Sequence, residues 1–415
     1  MISLIETLNY RCLRHINQPL EAFHILVGPN ASGKTTFLDV LGFMGDLISK
    51  GLDEAVGNRT KNFQDLLFAR KGTFFDLAIE AKIPEDKTTL LLNKNWNTIR
   101  YEISIGENGN NEVSILAEKC ILKTQHHTPS VVRDLFPVSI PTPDTILAKG
   151  RQGNRTVVNK VKGGNDNYYS EVTTSGRWAP SFKLGQRKSA LANLPEDESK
   201  YPAATWLKSL LDVGVQKLVL NSLAIRQPSS PGQPRAFKPD GSNLPWMIDH
   251  LIKNATNNYD AWMEHLKTAL PDLEGIKIIE RPEDKHKYIV LCYRGGFEIP
   301  SWMASDGTLR LLALTLPAYL QDFSGVYLIE EPENGIHPRA VETMFQSLSS
   351  IYNGQILMAT HSPIILSMSK PEQVLCFAKT DDGATDIVSG DKHPALRDWK
   401  GSPNLSVMYA GGILG

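Results

Sequence analysis

The chain has 415 residues, its 44 basic and 45 acidic side chains cancel to a formal net charge of −1, and 41% of it is hydrophobic against 21% charged. These proportions exclude a disordered, collagen-like or polyelectrolyte chain, so any basic surface for nucleic acid has to be local. The length predicts two or three domains, divided here as 1–125, 126–275 and 276–415.

In chain order, apolar stretches at 2–8 and 23–27 predict strands at the start of an α/β unit. A Gly-rich turn follows, then Phe37, Leu38, Val40, Leu41, Met44 and Ile48 recur at helical spacing, which predicts a helix with one buried face ending near Gly51. From about residue 72 the period becomes two. Over 74–83 apolar Phe75, Leu77, Ile79 and Ala81 alternate with Asp76, Glu80 and Lys82, and similar runs at 99–105 and 113–121 complete an antiparallel β lobe. Residues 129–145, rich in Pro and Thr, read as a crossing between lobes. Within 149–188, Lys149, Arg151, Arg155, Lys160, Lys162, Arg177, Lys183, Arg187 and Lys188 outnumber Asp166 and Glu171 around a hairpin turning at Gly163 and Gly164. Helical patterns at 201–213 and 244–270 flank a strand-like QKLVLNSLAI and a Pro-rich loop. Strands are predicted again at 276–280 and 288–293, a helix near 308–320, and two short apolar runs at 326–329 and 356–359 have the form of buried parallel strands. The four cysteines, Cys12, Cys120, Cys292 and Cys376, lack zinc or disulfide spacing, and there is neither a signal-peptide pattern nor an apolar run of the roughly 20 residues a membrane span needs. A reducing cytoplasm without membrane contact is the expected location.

Residues 28–35, GPNASGKT, fit the phosphate-loop pattern G-x-x-x-x-G-K-[ST] between a predicted strand and a predicted helix. In that setting the backbone N–H groups of Asn30, Ala31, Ser32, Gly33, Lys34, Thr35 and Thr36 converge with the helix N-terminus on one point suited to a triphosphate. Lys34 would reach its outer phosphates and the Thr35 hydroxyl would ligate Mg²⁺. The apolar strand GVYLIE ends in Glu330 and Glu331. That position delivers carboxylates to the crevice of an α/β sheet, so Glu330 is assigned to Mg²⁺ and Glu331 to the attacking water. Ser305 and Gly307 precede a helix and make a second phosphate nest, and His361 follows the strand ILMAT within reach of a terminal phosphate.

The ordered set GPNASGKT, SDGTLR, LIEEPENGIHP and ATHS, with the opening LNYRCL, resembles the ABC-type ATPase heads of the RecF/SMC/OLD group, most closely their stand-alone relatives without a coiled coil. The resemblance implies a P-loop NTPase of α/β class with a mixed or parallel sheet, an antiparallel β lobe and a helical and β insertion. It implies ATP and Mg²⁺ as cofactors and a homodimer or higher oligomer in which Ser305 and Gly307 of one copy close over the phosphates held by Lys34 of another. It further implies Glu331 as catalytic glutamate, His361 as switch histidine, residues 334–337 as the D-loop, Arg11 near the α-phosphate or base, and Gln227, or else Gln64, as the Q-loop residue. Two departures stand out. Glu330 replaces the usual Walker B aspartate, and Asp306 in the signature brings negative charge toward the expected γ-phosphate.

Three similar-looking patterns have simpler readings. Asp76, Glu80 and Lys82 resemble a restriction-type nuclease site but equally describe the wet face of an amphipathic strand. The R-x4-H run from Arg281 to His286 contains Pro and reads as a turn. The basic 149–188 segment, with Tyr168, Tyr169 and Trp178 for stacking, suits either DNA or protein docking. The stretch that follows His361 in this sequence is short for a Toprim nuclease, so nuclease chemistry in cis is not expected. The expected function is therefore an ATP-driven dimerisation switch coupled to DNA sensing or to a co-encoded nuclease or toxin, in phage defence or DNA repair. The rival readings are a nuclease with a built-in ATPase and an ATP-sensing scaffold with little turnover.

Overall fold

The computed structural model describes all residues except 109–111, 126–132, 175–178, 322, 398–403, 413 and 415. In chain order the strands are β1 (Ile2–Tyr10), β2 (Leu13–Pro19), β3 (Phe23–Val27), β4 (Phe74–Lys82), β5 (Thr98–Glu107), β6 (Val113–Lys123), β7 (Arg155–Val161), β8 (Asp166–Tyr168), β9 (Ser181–Phe182) and β10 (Val215–Leu218). They continue with β11 (Leu273–Glu280), β12 (Lys287–Tyr293), β13 (Phe297–Pro300), β14 (Gly325–Glu330), β15 (Gly354–Ala359), β16 (Val374–Lys379) and β17 (Thr385–Ser389). They form an eight-stranded antiparallel sheet in the order β2-β1-β4-β5-β6-β7-β8-β9, a six-stranded sheet in the order β10-β14-β15-β3-β16-β17, and a small sheet of β11, β12 and β13. The first strand thus lies in the antiparallel sheet rather than beside the phosphate-loop strand, because the tight turn at Arg11 and Cys12 folds β2 back onto it. The antiparallel sheet also crosses residue 125, since β7 of the second expected segment pairs with β6 of the first.

The six-stranded sheet is parallel except for its last strand, β17. Its alternation sorts side chains into two cores. Leu26, Leu328, Leu357 and Phe377 face the antiparallel sheet and the helix Lys34–Ser49, while Ile25, Ile329, Met358 and Cys376 face the helices Leu244–Asn254, Asp306–Thr315 and Pro338–Ser349. Both faces being covered, its strands are near-continuous apolar runs. The Lys34–Ser49 helix is wedged between sheets, with Phe37, Val40, Leu41, Phe43, Met44 and Leu47 fully buried.

Three sequence expectations change. The run QKLVLNSLAI is a strand only at its start; Asn221 accepts hydrogen bonds from the N–H groups of Leu223 and Ala224 and starts a helix, Ser222–Arg226. Asp76 and Glu80 do not face solvent, since the segment around Thr145 straps over them. Thr145 Oγ1 donates to Asp76 at 2.7 Å and Arg100 reaches Glu6, Glu80 and Glu102. Tyr168 is fully buried with its hydroxyl on the Ala190 carbonyl, so it offers no stacking face, and Trp178 lies outside the described residues. The hairpin at 155–168 and the turn between Arg281 and His286 are as expected.

Glu171, also buried, accepts hydrogen bonds from the N–H groups of Ala203 and Ala204 and anchors the helix Pro202–Ser209. Burial pushes its carboxyl from an ordinary 4.5 up to about 7, outweighing those two donors. Such a group stabilises the fold fully below its unfolded pKa and loses that contribution as pH rises through its folded one. Unfolding measured from pH 5 to pH 8 should show wild type losing up to roughly 3 kcal/mol relative to Glu171→Gln. Parallel pH curves for the two proteins would refute this.

Candidate functional site

The site is assembled by strand register. In the parallel ladder Glu330 lies opposite Ala359, which lies opposite Leu26, so the C-terminal ends of β14, β15 and β3 open on one edge. The Thr360 N–H continues the ladder onto the Leu26 carbonyl at 3.2 Å. Beyond these ends a cleft of about 300 Å³ is lined by residues 30–36, Glu330, Glu331, Ala359 and His361.

The loop's two glycines are dictated by its surroundings. Gly28 has φ 147° and a Cβ there would lie 2.2 Å from the Phe377 carbonyl; Gly33 has φ 103° and a Cβ would lie 2.2 Å from Thr385 Oγ1, which donates to the Ser32 carbonyl. Lys34 is buried, and its ammonium donates to the Gly28 and Pro29 carbonyls at 2.7 and 2.9 Å. Burial lowers its pKa while Glu331 and Glu330 act in the opposite sense. A cation desolvated against neutral carbonyls gains most from an anion entering the loop.

Thr35 Oγ1 donates to Glu330 Oε2 at 2.8 Å, and Lys217 on β10 pairs with Glu330 Oε1 at 2.6 Å. A hydroxyl and a carboxylate side by side are the hard oxygen donors that suit Mg²⁺, and the ammonium already marks the place as one for a cation. Glu331 follows the strand end with φ 47°, a left-handed turn uncommon for this residue type, and its N–H is held by the Ala359 carbonyl. Its carboxylate accepts from the Asn334 amide. Glu333 accepts from Thr360 Oγ1 at 2.6 Å and from the His361 N–H at 3.2 Å, fixing the turn that carries the histidine. His361 Nδ1 lies 2.6 Å from the hydroxyl of Tyr409, which comes from the helix Leu405–Ala410.

Of the residues singled out in the sequence, the loop from Asn30 to Thr36, Glu330, Glu331 and His361 meet in this cleft. Ser305 and Gly307 do not. Ser305 caps the helix Asp306–Thr315 on the exposed surface, and Gly307 packs so closely against the Gly335 carbonyl that a Cβ would lie 2.5 Å from it. Asp306 is paired with Arg226 at 2.8 Å, which offsets the charge expected to trouble the signature. Arg11 pairs with Asp39 at 3.5 Å and lines a neighbouring groove that shares Thr35 and Glu330 with the cleft. Gln227 is an exposed residue at the end of the Ser222–Arg226 helix, and Gln64 donates to Glu107; neither lines the cleft. Sequence reading missed Lys217, Glu333 and Tyr409. Only Glu333 carried a signal, its place in the acidic run after β14.

No helix among the described residues is long and apolar enough to cross a membrane. Two solved structures are similar over nearly the whole chain. A structure of the SmcHead bound to the C-winged helix domain of ScpA gives a TM-score of 0.54 at 14% identity, covering 93% of this chain and 97% of that one. The Smc head domain with an extended coiled coil bound to the C-terminal domain of ScpA, derived from Pyrococcus furiosus, gives 0.51 at 13%, covering 93% and 95%. At these identities the likeness is one of fold. Residues 23–367, from β3 past His361, match the protein family described as "AAA domain, putative AbiEii toxin, Type IV TA system". With that match running through every element that lines the cleft, the chain belongs to this family, and its fold is that of an ABC-type ATPase head of the RecF/SMC kind.

Proposed function

We propose that the protein is a Mg²⁺-dependent ATP hydrolase that dimerises on nucleotide and uses that closure to control a co-encoded effector, a nuclease or toxin, in phage defence or DNA repair. One observation carries this reading. The cleft gathers Lys34, Thr35, Glu330, Glu331 and His361, whereas Ser305 and Gly307 do not line it and Ser305 is exposed beside the exposed Trp302 and Met303. A second copy placed head to tail would bring each nest to the other's cleft and complete two sites at once.

In the completed site the ammonium of Lys34 exchanges its loop carbonyls for phosphate oxygens. Glu331 orients the attacking water and accepts its proton, and His361 donates to the terminal phosphate. Mg²⁺, held by Thr35 and Glu330, would supply charge neutralisation on the phosphates. The family description, with its reference to toxin–antitoxin systems, favours a defence setting. DNA contact would use Lys149, Arg151, Lys162, Lys183 and Lys188, which are exposed, whereas Lys160 is buried on Asp166 and Arg187 pairs with Asp53. The built-in nuclease is disfavoured because the carboxylates it needs, Asp76 and Glu80, are buried and hydrogen-bonded.

Lys34→Ala should lose ATP binding. Glu331→Gln should keep binding, lose turnover by about 10²-fold or more, and accumulate as an ATP-dependent dimer in light scattering. Turnover unchanged by Glu331→Gln would favour the scaffold reading instead.

Ser305→Arg and Lys34→Ala should each be inactive alone. Mixed, they should regain turnover, because one of the two sites in a mixed dimer is intact; a mixture no more active than its parts would exclude a shared site. Lys217 competes with the metal for Glu330. Replacing it by Met should therefore lower the Mg²⁺ needed for a nucleotide-induced thermal shift by about 2- to 5-fold, the worth of a partly exposed ion pair. An unchanged Mg²⁺ requirement would remove Lys217 from the metal site.

A further inference from the structure

We propose that Tyr409 is a positioning residue for His361, fixing the imidazole with its proton on Nε2 so that this nitrogen meets the terminal phosphate as a donor. The inference rests on the hydrolytic role given to His361 above and adds to it a function for the chain's last helix.

One phenolic proton has two groups within its reach. The Tyr409 hydroxyl lies 2.6 Å from His361 Nδ1 and 3.4 Å from the Gly28 carbonyl. A single O–H is best spent on the nearer acceptor, since the longer contact is at the edge of hydrogen-bonding distance. Nδ1 then accepts and the neutral ring carries its proton on Nε2. Burial, with Glu333 nearby, raises the phenol's pKa, so the hydroxyl keeps its proton at neutral pH.

The tyrosine is held in place rather than met by chance. In the helix Leu405–Ala410, Leu405 and Met408 are buried in the second core, and Tyr409, four residues after Leu405, packs partly buried against the same core. Asn404 caps this helix by accepting from the Val407 N–H at 3.2 Å. The helix packs on Pro363–Ser367, the short helix that begins just past His361. The same hydroxyl thus touches the first residue of the phosphate loop and the ring of the histidine.

The test uses the full-length protein labelled with ¹⁵N-histidine. The His361 signal is identified by its loss in His361→Gln. Wild type should show the Nε2–H tautomer, and Tyr409→Phe should move the signal toward a mixture of tautomers. Tyr409→Phe should also lower kcat by about 10-fold with KM for ATP unchanged. A wild-type spectrum of the Nδ1–H form overturns the proposal whether or not the variant folds. So does a Tyr409→Phe protein with wild-type kcat. His361→Gln separates the two readings: wild-type turnover there would defeat the hydrolytic role of the histidine, whereas an inactive His361→Gln beside a fully active Tyr409→Phe would defeat only the role of the tyrosine.

Discussion

The parallel register of β14, β15 and β3 is the constraint from which the rest of the site follows. Because Glu330, Ala359 and Leu26 stand abreast, the residues that come next in each strand, Glu331, Thr360 and Val27, emerge at one level. A slip of one residue in any ladder would turn its apolar set to the other face. Leu328, Leu357 and Leu26 would then leave the core they share with the Lys34–Ser49 helix, so burial on both faces enforces the alignment of the groups that line the cleft. The site's precision is thus borrowed from the hydrophobic core.

Glu331 is linked to the helix that Ser305 caps through the chain's own contacts. Asn334 donates its amide to Glu331, while its carbonyl accepts from Arg310 at 2.8 Å, a residue of the helix that Ser305 caps. Gly307 lies so close to Gly335 that a Cβ on Gly307 would meet the Gly335 carbonyl. A displacement of the nest on engaging another copy's nucleotide would therefore be felt at Glu331 in the same subunit. In the dimer proposed above, this helix and short loop would couple the two clefts.

The phosphate loop was readable because its residues are contiguous and its chemistry lies in backbone and glycine. Glu330, Glu331 and His361 were readable because each ends an apolar run whose length marks a buried strand. The missed residues share another property. Lys217 and Tyr409 act on partners far away in sequence, Glu330 and His361, and nothing local to either announces its target. Period-two alternation correctly put Asp76 and Glu80 on one face of β4, but alternation cannot say whether a later segment covers that face, and the strap at Thr145 does. Gln227 went astray for a reason that was visible: Asn221 followed by Ser-Leu-Ala is a helix start, and it ends the strand before the glutamine is reached.

The two departures from the ABC pattern are each met by a basic residue from a neighbouring element. Glu330, longer by one methylene than an aspartate, is gripped at both oxygens, by Thr35 and by Lys217. Asp306 is paired with Arg226 at the end of the helix Ser222–Arg226. Both partners lie between 215 and 226, so the single stretch comprising β10 and that short helix compensates both ends of the proposed composite site. These ion pairs are partly exposed and add little to stability. Their effect is on charge: they offset the carboxylates of Glu330 and Asp306, so that in the proposed site neither would repel a triphosphate drawn to the buried Lys34.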